Sequence, residues 1–183
     1  MRELRRLSQR DLCDGFQCGD ASLDTFFHRY AKQQEKRGQS ATTVVTIDGV
    51  LAAFVTIVAS GVDSTRLTAM VKGLPRHPVP VLVLARMACD QRHQGAGLGA
   101  ALLRDVAFAG ALKMAADVGC VGIFVDAKPG AVGFYAKYGF APLAPVAAAP
   151  TGVAAAADAA PAEDAAPTAM FLPLDTLRKA MRA

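Results

Sequence analysis

Hydrophobic positions along the chain change period several times, and each change marks an element. In DASLDTFFHRYAKQQEK, Leu23, Phe26, Phe27, Tyr30 and Ala31 recur at helical spacing, and Asp20 or Ser22 can cap the first turn. Two β-branched runs follow, ATTVVTI and VLAAFVTIVAS. Asp48-Gly49 joins them, a pair suited to a two-residue hairpin. PVPVLVLARMACD reads as a buried strand, with Pro78 and Pro80 at its entrance, where a missing N–H is tolerated. From about 98 to 118 the spacing is helical again, through Leu98, Ala101, Leu102, Val106, Ala109 and Leu112, and Gly119 sits where a helix ends. CVGIFVD is another apolar strand. Pro129 suits the first turn of a short helix in PGAVGFYAKY. FAPL and TAMFLPL read as extended, and DTLRKAMRA as a helical tail.

The predicted order is helix, hairpin, strand, glycine loop, helix, strand, helix, strand, strand. That is an α/β (α+β) chain with a mixed central sheet and no internal repeat. Its 183 residues suit one domain. The run 144–168 contains 13 Ala and 4 Pro among 25 residues, without alternation or large side chains, and reads as an insertion into that domain.

Charge changes the picture modestly. The net charge is +4, but the insertion holds three acids and no base, so the remainder has 20 basic against 13 acidic residues, or +7. Arg66, Lys72, Arg76, Arg86 and Arg92 face one acid, Asp90, across 66–93. Arg2, Arg5, Arg6, Arg29, Lys32, Lys36 and Arg37 add cations near the N-terminus. Cys13, Cys18, Cys89 and Cys120 form no C-x-x-C pair and have no His at ligand spacing, so reduced thiols are expected and no metal. No apolar run spans a bilayer and no signal peptide is visible, so a cytoplasmic protein without membrane contact is expected.

The candidate chemistry lies in QRHQGAGLGAALLRDV. Gly95, Gly97 and Gly99 end a strand and open a helix, a geometry that leaves unpaired N–H groups facing an anion. Arg92 and His93 add positive charge beside them. A plain tight turn, with the glycines serving packing, is the alternative. A Walker loop needs Gly-Lys-Ser/Thr and a dinucleotide loop needs G-x-G-x-x-G; neither is present.

Gln94-x-x-Gly97-x-Gly99 resembles the Q/R-x-x-G-x-G/A signature of the GNAT superfamily of N-acetyltransferases. Ala131, Phe134, Tyr135, Gly139 and Phe140 resemble that family's A-x-x-F-Y-x-x-x-G-F motif. FQCGDASLDTFFHRYA, LPRHPVPVLVLARMACDQRHQGAGLG and VDAKPGAVGFYAKYGF resemble in particular the GNAT toxins of bacterial toxin–antitoxin pairs. The resemblance covers about 16–143 and resumes at 169–174. The insertion departs from the family's compact turn.

The resemblance implies a GNAT fold, with a V-shaped splay between two parallel strands and helices on both faces of the sheet. It implies acetyl-CoA as cosubstrate, its pyrophosphate on the backbone of Gln94, Gly95, Ala96, Gly97, Leu98 and Gly99, with Arg92 and His93 adjacent. Its pantetheine arm would pair with the edge at Ala85, Arg86, Met87 and Ala88. A strand bulge is implied around Met87 or Ala88, freeing an N–H for the thioester carbonyl. Asp126, Phe134 and Tyr138 complete the expected cofactor surroundings. Tyr135 occupies the general-acid position, with Tyr138 its local competitor. Arg86 is equally open to a structural or a substrate-facing role.

No general base stands out among Glu35, Asp90, His93 and Asp126. The implied acceptor is the α-amine of aminoacyl-tRNA, whose acetylation stops translation. Such an ester amine is less basic than a free α-amino group of pKa about 7.7–8.0 and is largely neutral without a base. A ribbon-helix-helix antitoxin and a homodimer are implied partners. Another amine acceptor, such as a polyamine, small molecule or protein N-terminus, is the first alternative. A non-catalytic CoA-binding module is the second.

Overall fold

The computed structural model describes residues 1–13, 15–144 and 166–182. Its strands are β1 (Arg2–Arg6), β2 (Ala41–Ile47), β3 (Val50–Val62), β4 (Val79–Cys89), β5 (Gly122–Ala127), β6 (Ala141–Pro142) and β7 (Thr168–Pro173). They form one sheet in the order β1-β2-β3-β4-β5-β7-β6. Among the described residues only β4 and β5 pair in parallel; every other neighbouring pair is antiparallel. The helices are α1 (21–36), α2 (98–117), α3 (Val132–Lys137) and α4 (Leu174–Ala180).

Local chemistry explains most boundaries. Asp20 is the cap of α1, accepting from the backbone N–H of Ser22 and Leu23. Asp48 and Gly49 both take positive φ, 50° and 85°, the conformation a two-residue hairpin between right-twisted strands requires. Both long helices contain a widened π-helical stretch, Phe26–Ala31 in α1 and Leu103–Phe108 in α2.

The two sheet faces carry separate cores. On one, Phe16, Phe26 and Phe27 pack with Phe54 of β3; the Phe27 and Phe54 ring centroids are 4.7 Å apart. Each such ring contributes roughly 1.5–3 kcal/mol by leaving water. On the other, Leu98, Leu102 and Leu103 of α2 pack on Leu82 and Leu84 of β4 and on Ile123 and Val125 of β5. Leu174 and Leu177 join this second core, so the expected helical tail is a packed helix.

Two features depart from the sequence reading. β1 was not expected, because RELRR shows no alternation of apolar residues. It is an exposed edge strand, held by its backbone register on β2 from Arg2↔Ile47 to Arg6↔Thr43. Between Ser64 and Leu67 a short 3-10 helix follows β3, capped by Asp63 on the Thr65 N–H. The Ala/Pro stretch lies, over 145–165, outside the described residues; its last residue, Thr168, opens β7.

Candidate active site

The site begins where β4 and β5 part. Their parallel register holds at Leu82↔Ile123 and Val83↔Phe124 and at no later position. Beyond it, β4 continues on β3 as far as Cys89↔Ala53, while β5 continues on β7 as far as Ala127↔Thr168. The stretch 85–89 therefore presents a strand edge to an opening, which an extended ligand can pair with. Ala85, Met87 and Cys89 are half-buried there, and Ala88 is buried.

The bulge is two or three residues earlier than expected. Thr56 pairs with Arg86 and Ile57 with Leu84, so Ala85 is the extra residue, rather than one at Met87 or Ala88. A bulge bends its strand and re-aims the groups beside it. Here it coincides with the start of the opening. Arg86 donates from Nη1 to the Ala85 carbonyl at 2.7 Å, and its guanidinium lies 5.3 Å from the Phe26 ring centroid.

The glycine loop follows β4 and leads into α2. Gly95 and Gly97 have φ of 78° and 76°, which side-chain-bearing residues rarely adopt, and space is open where a Cβ would stand. Gly97 is the N-cap of α2, and no side chain caps that helix end. The Gly99 N–H donates to the Cys89 sulfur, and the helix end otherwise suits an anion, with the dipole behind it. At Gly99 a Cβ would stand 3.5 Å from Cζ of Phe134, an ordinary contact.

Side chains anchor the loop. Gln94 donates from Nε2 to the Cys18 carbonyl at 2.9 Å and the Cys89 carbonyl at 3.3 Å, tying the loop to the end of β4 and to the segment before α1. Asp90 accepts from Arg92 Nε at 2.7 Å and Nη2 at 2.9 Å, and from the backbone N–H of Arg92 and Gln17. The Arg92 guanidinium holds the Asp90 carboxyl down to about 2. Leu98 is 4% exposed, so its side chain belongs to the core while its N–H faces the loop. His93 is half-buried, and its N–H donates to the Asp90 carbonyl at 2.9 Å.

Tyr135 of α3 is 6% exposed and shares the core cluster with Leu98, Leu102 and Leu84, against which Met87 and Cys89 pack. Phe134 and Phe140 stand edge-on to its ring at 5.2 and 5.4 Å. Burial pushes its phenol well above the ordinary range, so it holds its proton at neutral pH. Tyr138, one turn on, is 37% exposed and lies 5.1 Å from Phe134 by ring centroid. Among the cofactor candidates Asp126 stands apart. Val125 and Ala127 point into the Tyr135 core, so Asp126 points to the opposite sheet face.

The structure also sorts the candidate bases. Glu35 takes Arg6 at 2.6 Å and Lys32 at 2.8 Å, and Asp90 is bound to Arg92. Both are structural ion pairs. Much of the basic supply counted in the sequence is used the same way: Arg5 binds Asp11, and Lys32 also donates to the Leu7 carbonyl. Lys72 and Arg76 are exposed on the segment between β3 and β4. No cluster of three or more His, Cys, Asp or Glu suited to a metal occurs among the described residues, and Cys18, Cys89 and Cys120 are free thiols. Among the same residues no helix is long and apolar enough to cross a membrane.

Comparison with known proteins agrees with this geometry. The family model for the acetyltransferase (GNAT) domain matches residues 38–142. A tRNA-acetylating toxin of Mycobacterium tuberculosis is 33% identical over 137 residues, which are 74% of this chain and 82% of that protein. Among solved structures, a bacterial toxin superposes with a TM-score of 0.80 at 21% identity, covering 100% of this chain and 96% of that one. AtaT complexed with acetyl-methionyl-tRNAfMet superposes with a TM-score of 0.76 at 22% identity, covering 99% of both chains. The chain belongs to the GNAT acetyltransferases.

Proposed function

We propose that this protein transfers the acetyl group of acetyl-CoA to the α-amine of aminoacyl-tRNA, and so acts as a toxin that blocks translation. The observation that carries the transfer chemistry is the opening between β4 and β5, flanked by an uncapped helix end and a buried tyrosine. The M. tuberculosis relative, a tRNA-acetylating toxin matched over 82% of its length, supports the acceptor.

Acetyl-CoA fits the residues present. Gly95 and Gly97 leave room for phosphate oxygens, and no side chain caps α2, although the Gly99 N–H already donates to the Cys89 sulfur. The diphosphate would lie on the amides of 94–99, and the pantetheine arm along Ala85 to Ala88. Acetyl-CoA supplies an activated thioester; the protein orients it and handles protons. The Ala85 bulge interrupts the β3–β4 ladder where the opening starts, and a backbone N–H freed there would stabilise the developing oxyanion. Tyr135 donates a proton to the departing thiolate. Its burial keeps the phenol protonated at neutral pH, as a proton donor requires.

Lys72 and Arg76 are exposed, without ion pairs among the described residues, and suit tRNA phosphates. The chain acts in the cytoplasm as one domain carrying 144–168 as an insertion. It forms a homodimer, and a ribbon-helix-helix antitoxin silences it. The test is direct: incubate the protein with acetyl-CoA and charged total tRNA, and analyse the aminoacyl ends by mass spectrometry. Acetylated aminoacyl groups are expected. Acetylation of small amines without any on charged tRNA would replace the acceptor, and no transfer at all would remove the reaction.

A further inference from the structure

On the sheet face opposite Tyr135, three charged side chains gather past the point where β4 and β5 part. Asp126 lies two residues beyond the last paired residue of β5, Phe124; the residue is exposed, but its carboxyl is partly desolvated. Arg86 lies three residues beyond Val83 on the other wall. The Arg66 guanidinium lies 5.5 Å from the Phe124 ring centroid, and its Nε is sealed from solvent without a hydrogen-bond partner. Both arginines pull the Asp126 carboxyl down, against a burial that leaves it raised overall. Yet neither reaches it as an ion pair among the described residues.

These are unlike the other charges near the opening. Asp90, Glu35, Lys32 and Arg92 are neutralised pairwise, whereas Asp126, Arg66 and Arg86 are close but not joined. Each arginine is fixed by an aromatic ring, Arg86 also by the Ala85 carbonyl, so their positions are set by apolar packing. Asp126 is opposite Ala169 of β7, which brings no charge, and the nearby Lys128 is engaged by Asp20. A carboxylate near two guanidinium groups held by aromatic rings suits a ligand carrying an amine beside an anionic oxygen.

Building on the acceptor proposed above, we propose that Asp126, Arg66 and Arg86 form the acceptor site. The Asp126 carboxylate receives the attacking α-amine and takes its proton, and the two arginines hold the phosphodiester that precedes the terminal, aminoacylated nucleoside. The amine lone pair forms the N–C bond as the C–S bond breaks. One proton passes from nitrogen to Asp126, and one from the Tyr135 hydroxyl to the departing sulfur; both groups then re-equilibrate with water. Thioester and amine thus enter from opposite faces of the sheet and meet in the gap between β4 and β5.

The test uses the full chain with Asp126→Asn, Asp126→Glu and Arg66→Gln. Steady-state transfer to charged tRNA is followed from pH 5.5 to 8.5, and acetyl-CoA binding by calorimetry. Asp126→Asn should cut kcat by roughly 100-fold, the low end for a positioned proton acceptor, and flatten the acidic limb of the profile, with acetyl-CoA affinity kept. Asp126→Glu should restore part of the rate. Arg66→Gln should raise KM for charged tRNA about tenfold, the loss of one charged hydrogen bond, more than it lowers kcat. A wild-type rate and profile in Asp126→Asn would overturn the site while leaving the acceptor reading intact. So would loss of acetyl-CoA binding together with rate, since it would mark a structural role. If the parent protein ignores charged tRNA, the acceptor reading fails separately. The same variants then decide on glycine methyl ester, where a loss in Asp126→Asn supports the amine site and parity removes it.

Discussion

Asp90 accepts two hydrogen bonds from the Arg92 guanidinium, at 2.7 and 2.9 Å, while only 2% of its side chain is exposed. A carboxylate and a cation that could each have served the reaction are thus joined as one structural unit. Asp90 also receives the Gln17 N–H, so the unit holds the end of β4 against the segment that enters α1. Asp90→Ala strands these donors and should lower stability by about 1–3 kcal/mol, seen as a lower urea midpoint at unchanged slope. The pH profile of its remaining activity should keep the parent shape, because Asp90 is not the proton acceptor.

The loop glycines should respond unequally. Gly97 has φ 76°, so Gly97→Ala forces a left-handed alanine, costing roughly 1–2 kcal/mol, at the N-cap of α2. Calorimetry should show acetyl-CoA affinity falling about tenfold or more. Gly99→Ala meets Phe134 at 3.5 Å, an ordinary contact, and should bind within about threefold of the parent, on the order of 0.6 kcal/mol.

Gly122 opens β5, and nothing in CVGIFVD marks it as special. A Cβ there would stand 2.3 Å from the Leu172 carbonyl oxygen and 2.4 Å from Cζ of Phe171. Gly122→Ala should therefore disturb the β5–β7 pairing and lose about 3 kcal/mol or more, measured by thermal or urea unfolding. Gly130→Ala, with nothing within 4 Å of the added atom, is the control and should stay near the parent.

What the sequence made legible follows from what side chains encode. Asp48-Gly49 announces its turn because few other pairs accept two positive φ values, and α1 and α2 announce themselves through one apolar face. β1 was illegible because RELRR is held to β2 by backbone groups alone. The Ala85 bulge is likewise a fact of register between two strands, and no local pattern in VLVLARMAC distinguishes it from Met87 or Ala88. Tyr135 and the glycine loop could be found from motif residues. The split between engaged and available cations could not: Asp90 is two residues before Arg92 and Asp63 three before Arg66, yet only the first pair closes as an ion pair, and Arg66 lies over Phe124, 58 residues away.

Acid should unfold the protein in a definite window. Burial raises the Asp11 carboxyl, but its bonds to Arg5 and Ser8 more than offset this and bring it from 3.8 to about 2. Lys128 and Ser22 outweigh burial to the same end at Asp20, and Arg92 does so at Asp90. Folded values below unfolded ones mean that this stability is complete above about pH 4–5 and is lost as pH falls toward 2. Urea midpoints should be level from pH 7 to 5 and drop below 4. Asp11→Asn should flatten that drop by about 2 kcal/mol, the contribution of one well-buried carboxylate.

The most direct measurement is a single-turnover comparison of the parent protein and Tyr135→Phe, with acetyl-CoA and charged tRNA, alongside calorimetry of acetyl-CoA binding. Phe keeps the ring contacts with Phe134 and Phe140 and removes only the proton donor. Transfer should slow by about 100-fold or more while acetyl-CoA affinity stays within about twofold. Transfer at the parent rate by the folded Tyr135→Phe protein would contradict the account.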